Sequence, residues 1–266
     1  MYNLFVRPIV RHMEKEKASS IALRYFKFIG SIPVLRGLYR LLHKNRSFGI
    51  DRDVFGLHFY NPLGLGAGLD KKGELCATLE DLGFSFVEIG PLDAASTRSA
   101  IANIQEKPCE DILAACIIND LTTSFSLIYD FCDFFVIDQQ TGLKESIIDQ
   151  ILNIRLTYDD YKPIVVKLSE FITEQDLHHA LDYCMYSGID GVQVGAKEHV
   201  KMISEYTKGR MPIIANCHIK SPSEALNLIQ DGASLIEMRS GMVSEGPSLV
   251  RKTLNYLEKA LANGKS

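Results

Sequence analysis

The densest run of residues able to do chemistry is Asn61-Pro62-Leu63-Gly64-Leu65-Gly66-Ala67-Gly68-Leu69-Asp70-Lys71-Lys72-Gly73-Glu74. The turn pair Asn61-Pro62 opens an apolar stretch, and Pro62 suits the first residue of a strand, where its missing N–H is harmless. Glycines at 64, 66 and 68 let a ligand approach the backbone closely. Asp70 is placed to cap a helix begun by Lys71-Lys72-Gly73-Glu74, which sets Lys71 at a strand-to-helix junction, where α/β proteins bind ligands. The competing reading is a buried strand and a capped helix, with Lys71 merely solvated. A second cluster, Asn216-Cys217-His218, carries donor atoms that suit a metal. No second ligand stands at a metal-site spacing, so it reads as pocket lining and no metal is expected.

The elements that must position these residues follow from the patterning. From residue 50 onward, apolar runs alternate with helical stretches. Strand candidates are 63–67, 84–90, 112–118, 133–138, 163–168, 190–195, 212–217 and 234–239. Helical candidates are 71–82, 121–131, 143–156, 173–187, 198–208, 222–231 and 246–262. Thr173 and Ser221-Pro222 carry helix-start signals. Alternation repeated eight times predicts an α/β fold, a (β/α)8 TIM barrel, over residues 49–266. Phe55–Tyr60 is expected to lie as a short strand across the barrel floor. The stretch 92–110 is ambiguous, and its Ser96-Thr97-Arg98-Ser99 suits either a helix cap or a ligand contact.

Charge divides the chain. Residues 1–50 hold ten Lys/Arg against two Glu, so this segment is +8; with a total of −4, the remainder is −12. The basic segment, 1–48, carries two amphipathic patterns, Ala18–Phe28 and Ile32–His43, separated by Gly30-Ser31. Short basic helices rich in aromatic residues suit an anionic membrane surface. The alternative is a helical hairpin packed on the barrel with its arginines outward. Nucleic acid is disfavoured because the acidic body repels phosphate. The six cysteines are scattered, without metal-ligand spacing, and read as reduced residues of an intracellular protein. The N-terminus lacks the apolar region of a secretory leader, and no apolar run reaches the roughly 18 residues of a membrane span. The expected location is cytoplasmic, with a peripheral seat on the inner membrane face.

Several motifs stand in a fixed order: Met1-Tyr2, Phe5-Val6-Arg7, Asn61–Lys71, Glu88-Ile89-Gly90, Pro163–Lys167, Gly188–Val192, Pro212–Ile214, Gly232–Leu235 and Glu245-Gly246-Pro247. As a set they resemble the dihydroorotate dehydrogenases, in the membrane-associated, quinone-reducing class. The resemblance implies an FMN-binding barrel that oxidises dihydroorotate in pyrimidine synthesis, with N-terminal helices that dock on the membrane and admit quinone. It implies that Ala67, Gly68 and Lys71 hold the flavin, with Lys71 also near substrate. It implies that Lys167 supports the flavin ring's charged edge, a tuning role a cation can fill. Ser240 and Gly241 match a phosphate-binding turn after the last strand, and Arg239, replacing an aromatic residue, offers a bidentate phosphate contact. Read without the resemblance, Lys167 is a buried lysine paired with a carboxylate.

The departures from that family are as pointed. Where it ends its fourth strand with a serine base and substrate-gripping asparagines, this chain has Phe135-Val136-Ile137-Asp138-Gln139-Gln140-Thr141-Gly142. Gln139 falls near the serine position, and an amide has no useful basicity; Asp138 is the neighbouring alternative base. The asparagine and threonines ending strand six have become Gly195-Ala196-Lys197, and the phosphate-wrapping glycines after strand seven have become Ala215-Asn216-Cys217-His218. The sequence therefore leaves three readings: a flavoprotein oxidoreductase with altered substrate, a barrel that has lost catalysis and works as a binding or partner protein, and an orthodox dihydroorotate:quinone oxidoreductase.

Overall fold

The structure, a computed structural model, describes residues 2–10, 13–43 and 49–263. The N-terminal part holds α1 (Tyr2–Phe5), α2 (Arg7–Val10), α3 (Lys15–Ser31) and α4 (Pro33–His43). A hairpin of β1 (Arg52–Val54) and β2 (Leu57–Phe59) follows. Then come β3 (Leu63–Leu65), α5 (Cys76–Leu79), β4 (Phe86–Leu92), α6 (Ala94–Glu106), β5 (Ile112–Ile117), α7 (Leu121–Ile128), β6 (Phe134–Asp138) and α8 (Glu145–Arg155). The chain ends with β7 (Ile164–Lys167), α9 (Glu174–Ser187), β8 (Gly191–Val194), α10 (Lys197–Thr207), β9 (Ile213–Ala215), α11 (Pro222–Gln230), β10 (Leu235–Glu237), α12 (Ser240–Glu245) and α13 (Ser248–Asn263). Strands β3 to β10 pair in parallel in sequence order and close through β10 and β3, a (β/α)8 barrel. Each lies within one of the expected strand stretches or, for β4, overlaps it.

The barrel's lower bore is an aromatic plug. Phe86 and Phe134 point inward from β4 and β6 and meet Phe59 of the hairpin edge-to-face, with centroids 5.5 to 6.3 Å apart. Gly191 on β8 leaves the space that the Phe55 ring fills. The expected floor strand is thus a two-stranded hairpin. Phe59, Phe86 and Phe134 are fully buried, each worth about 1.5–3 kcal/mol of apolar burial.

Several helical boundaries differ from the sequence reading. The helix expected at 71–82 begins only at Cys76, because Gly73 takes a left-handed φ of 64° and breaks the run. Asp70 still gathers the Glu74 and Leu75 amides, at 2.9 and 2.8 Å, but it organises a turn rather than capping a helix at 71. The ambiguous stretch is α6, started by a reciprocal capping box: Asp93 accepts the Ser96 N–H and Ser96 Oγ accepts the Asp93 N–H. That settles Ser96 as a cap. The helix expected at 246–262 is α13, which begins only at Ser248 after Gly246-Pro247, and a short helix not expected from the sequence, α12, precedes it.

Gly30-Ser31 does not separate the N-terminal helices; α3 runs through both residues and ends at Ile32. Gly30 instead lets α3 press on α5, since a Cβ there would strike Thr78 Oγ1. Ala18, Ala22, Phe26 and Ile29 bury one stripe of α3 in the same apolar core as the outer barrel helices. The expected boundary at 48 lies outside the described residues.

Helix α4 corrects the expected orientation. Arg36 and Arg40 face the barrel, whereas Val34, Leu38 and Leu41, at 81%, 52% and 82% exposure, form the outward stripe. Arg36 Nε lies 2.7 Å from Asp81 Oδ2, and its Nη2 lies 3.5 Å from Glu80 Oε1 and bonds the Ala77 carbonyl. Arg40 pairs with Asp81 at 3.6 Å and with Glu110 at 2.8 Å. Asp81 and Glu80 are fully buried, so these arginines neutralise charges that water cannot reach. Arg7–Glu245 and Lys27–Glu74 add two more pairs across the same boundary. Four cations of the basic segment, Arg7, Lys27, Arg36 and Arg40, are thus spent on carboxylates of the barrel.

Candidate functional site

The mouth at the C-terminal ends of the strands collects the singled-out residues. Asp138 and Lys167 end neighbouring strands in register, β6 beside β7, with Nζ 3.5 Å from Oδ2. Parity puts both on the inner face with Val136, Phe134 and Val165. Asp138 is further held by Gln140, whose backbone N–H and Nε2 each donate to it at 3.0 Å. Burial pulls the Lys167 pKa down, but Cys116, Glu88, Asp138 and Glu237 together outweigh this and leave it above the usual lysine value.

Gln139 is 3% exposed, and its amide is spent on the chain. Oε1 accepts the Lys144 N–H at 2.8 Å and Nε2 donates to the Asp138 carbonyl at 3.1 Å, which braces the turn into α8.

Across the mouth, Arg239 follows β10 and donates from Nη1 to the Ala67 carbonyl at 2.8 Å. Its guanidinium lies over Gly68, where a Cβ would collide with it; Gly68 also takes φ 102°, so the position demands glycine twice over. Gly66 is closed off by Glu237 and Asn216. Ser240 opens α12 and meets His218 Nδ1 at 3.2 Å, while Gly241 packs directly on the Ile219 carbonyl. Lys71 is exposed on the turn after β3 and forms no hydrogen bond or ion pair among the described residues. The structure therefore joins Asp138 to Lys167, and Arg239 to Ala67 and Gly68, and leaves Lys71 apart.

Sequence reasoning missed what lies beneath. Gln193 on β8 reaches across the bore, donating from Nε2 to Glu88 Oε2 of β4 at 2.8 Å and to Glu237 Oε2 of β10 at 3.0 Å. Burial pushes the Glu237 carboxyl well above the usual carboxylate range; Glu88 adds to the shift, and Lys167 and Arg239 only partly oppose it. The signal was present: each residue is a lone polar group inside an apolar strand, at inward parity.

The comparisons bear on this geometry. No family model matches the chain. A protein named dihydroorotate dehydrogenase (quinone) from Christiangramia forsetii is 24% identical over 341 aligned positions, covering 98% of this chain and all of that one. One of the same name from Salinispora arenicola is 25% identical, covering 94% and 97%. The chain is similar over nearly its whole length to proteins named dihydroorotate dehydrogenase (quinone). The aligned positions outnumber its 266 residues, so the relative carries segments that it lacks. Ligand-free DHODH from Eimeria tenella shares the fold at TM-score 0.78 and 18% identity, covering 94% of this chain and 96% of that one. The complex of that organism's DHODH with ferulenol gives 0.71 at 17% identity, over 83% and 86%. Among the described residues no helix is long and apolar enough to cross a membrane.

Proposed function

We propose that this dihydroorotate dehydrogenase-like barrel has lost the oxidation of dihydroorotate and works as a binding protein, seated on an apolar surface through its N-terminal helices. The observation that carries the reading is Gln139. Near the position of the family's serine base stands an amide that has no useful basicity and whose two polar atoms already brace a turn. Asp138 is no free substitute, since Lys167 and both donors of Gln140 hold it.

The residues present fit FMN poorly. A flavin lying on Ala67 and Gly68 would need the space above this loop, and the chain's own Arg239 guanidinium covers it. The Lys167 cation is already compensated by Asp138. Support for the seat comes from the unpartnered face of the N-terminal helices, where Leu4, Phe5, Val34 and Leu41 are each more than 60% exposed. A membrane surface, in the manner of the quinone-dependent relatives, is the occupant we propose.

A second reading, a flavoprotein with altered substrate, draws on Lys167, which stays cationic at the mouth at 19% side-chain exposure. The visible absorption spectrum after FMN addition and dialysis separates the two. The proposed reading expects a colourless protein that transfers no electrons from dihydroorotate to a quinone. Flavin bands near one equivalent would favour the second reading, and reduction of those bands by dihydroorotate would overturn the first.

A further inference from the structure

Beneath the mouth, two carboxylates and one amide meet in a space that excludes water. Glu88 and Gln193 are completely buried and Glu237 is 1% exposed. They come from β4, β8 and β10, so their contacts cross the bore rather than follow the sheet. The single Gln193 Nε2 serves both carboxylates, at 2.8 and 3.0 Å, so the Oε2 atoms of Glu88 and Glu237 gather on one donor. Oε1 of Glu88, of Glu237 and of Gln193 each lack a hydrogen-bond partner.

The count of donors decides the matter. Two ionised carboxylates are acceptors only, and with the amide oxygen they give the cluster more buried acceptors than the two N–H groups of Gln193 can satisfy. Like charges held together without solvent also repel strongly, which is why paired carboxylates elsewhere retain a proton. A proton on either group removes one charge and turns one acceptor into a donor for the unpartnered acceptors of the cluster.

We propose that Glu88 and Glu237 share one proton, making the bore above the aromatic floor a built proton-binding site that stays occupied at neutral pH. The titratable and charged groups facing it are Lys167 from β7, Cys116 from β5, Asp138 from β6, Arg239 after β10 and Cys217 after β9. Lys167 and Arg239 oppose protonation, whereas Asp138 favours it. The inference does not depend on whether the barrel binds flavin.

Linkage gives the sign. The folded chain holds a proton that the unfolded chain releases above the ordinary glutamate value, near 4.3. The pair's contribution to stability is therefore fully present below that value and is lost as pH rises toward the pair's raised value. Over this window the unfolding constant of the wild type should rise by about tenfold per pH unit relative to E237Q, which keeps the shape and cannot ionise.

The experiment is side-chain carboxyl NMR of the full chain labelled with 13C-glutamate, titrated from pH 5 to pH 9 and paired with chemical unfolding. The expected result is one glutamate that remains protonated above pH 7 in the wild type and is absent from both E88Q and E237Q. If either variant fails to fold, the wild-type titration alone still decides whether such a proton exists. Two ionised glutamates in the bore at pH 7, or stability there that depends on added sodium or potassium, would overturn the proposal in favour of a bound cation. A protonated signal that survives in E88Q would also overturn it, since Glu237 would then hold its proton without sharing.

Discussion

The N-terminal helices and the barrel mouth use the same device, a cation set against a carboxylate, to different ends. On α4, Arg36 and Arg40 reach fully buried acids of the barrel, and the pairing fastens one part of the chain to another. At the mouth, Lys167 meets Asp138, and the pairing holds the two groups to each other where β6 and β7 end. In the first place the N-terminal helices are tied to the barrel by these pairs while their apolar stripe stays exposed. In the second the pair sits at the barrel mouth, beside an Arg239 guanidinium that lies over Gly68. The same pairing fastens elements together where it buries charge between them, and at the mouth it holds two neighbouring strand ends.

The comparison breaks first at Arg36. Arg36→Ala should lower stability by about 1.5–3 kcal/mol, because buried Asp81 would keep only the Arg40 contact at 3.6 Å, while Glu80 would keep its N–H donors from Glu110 and Asp111. Thermal and urea unfolding measure this, and adding Asp81→Asn should return part of the loss. An effect below about 1 kcal/mol would reduce these pairs to surface contacts.

At the mouth the expected effects are smaller. Gln139→Ser, which supplies the residue type of the family's base, removes two hydrogen bonds from the turn into α8 and should cost about 1–2 kcal/mol. It should not create oxidation of dihydroorotate, since Arg239 still covers Gly68. Steady-state assays with a quinone acceptor check this; measurable turnover from this one change would show that the mouth is closer to competence than its packing implies.

The smallest effect on stability belongs to the opposite face of α4. Changing Val34, Leu38 and Leu41 together to serine should alter unfolding by less than about 1 kcal/mol, since all three are exposed. The same variant should lose sedimentation with vesicles containing anionic lipid. Unchanged vesicle binding would remove this stripe from the proposed seat.

Much of the barrel was legible because parallel strands buried on both faces read as short apolar runs, and each is followed by a helix. Boundaries were legible only where local chemistry sets them. Ser221-Pro222 begins α11 as its sequence predicts, whereas the start of α5 is decided by Gly73 adopting φ 64°, which a glycine permits but does not demand. The glycine loop at 64–68 was visible as a site for close approach, yet what approaches it is Arg239, a residue 171 positions from Gly68. No local pattern carries that information.

By itself, the sequence determined the eightfold alternation and the surplus of positive charge near the N-terminus. Those depend on residue type and spacing within a few positions. Tertiary structure alone decided that α4 turns its arginines toward the barrel and its leucines away, and that Glu88, Gln193 and Glu237 meet across the bore. Barrel closure brings β4, β8 and β10 to one point, and electrostatic partners chosen there depend on distance in space, which linear order does not encode.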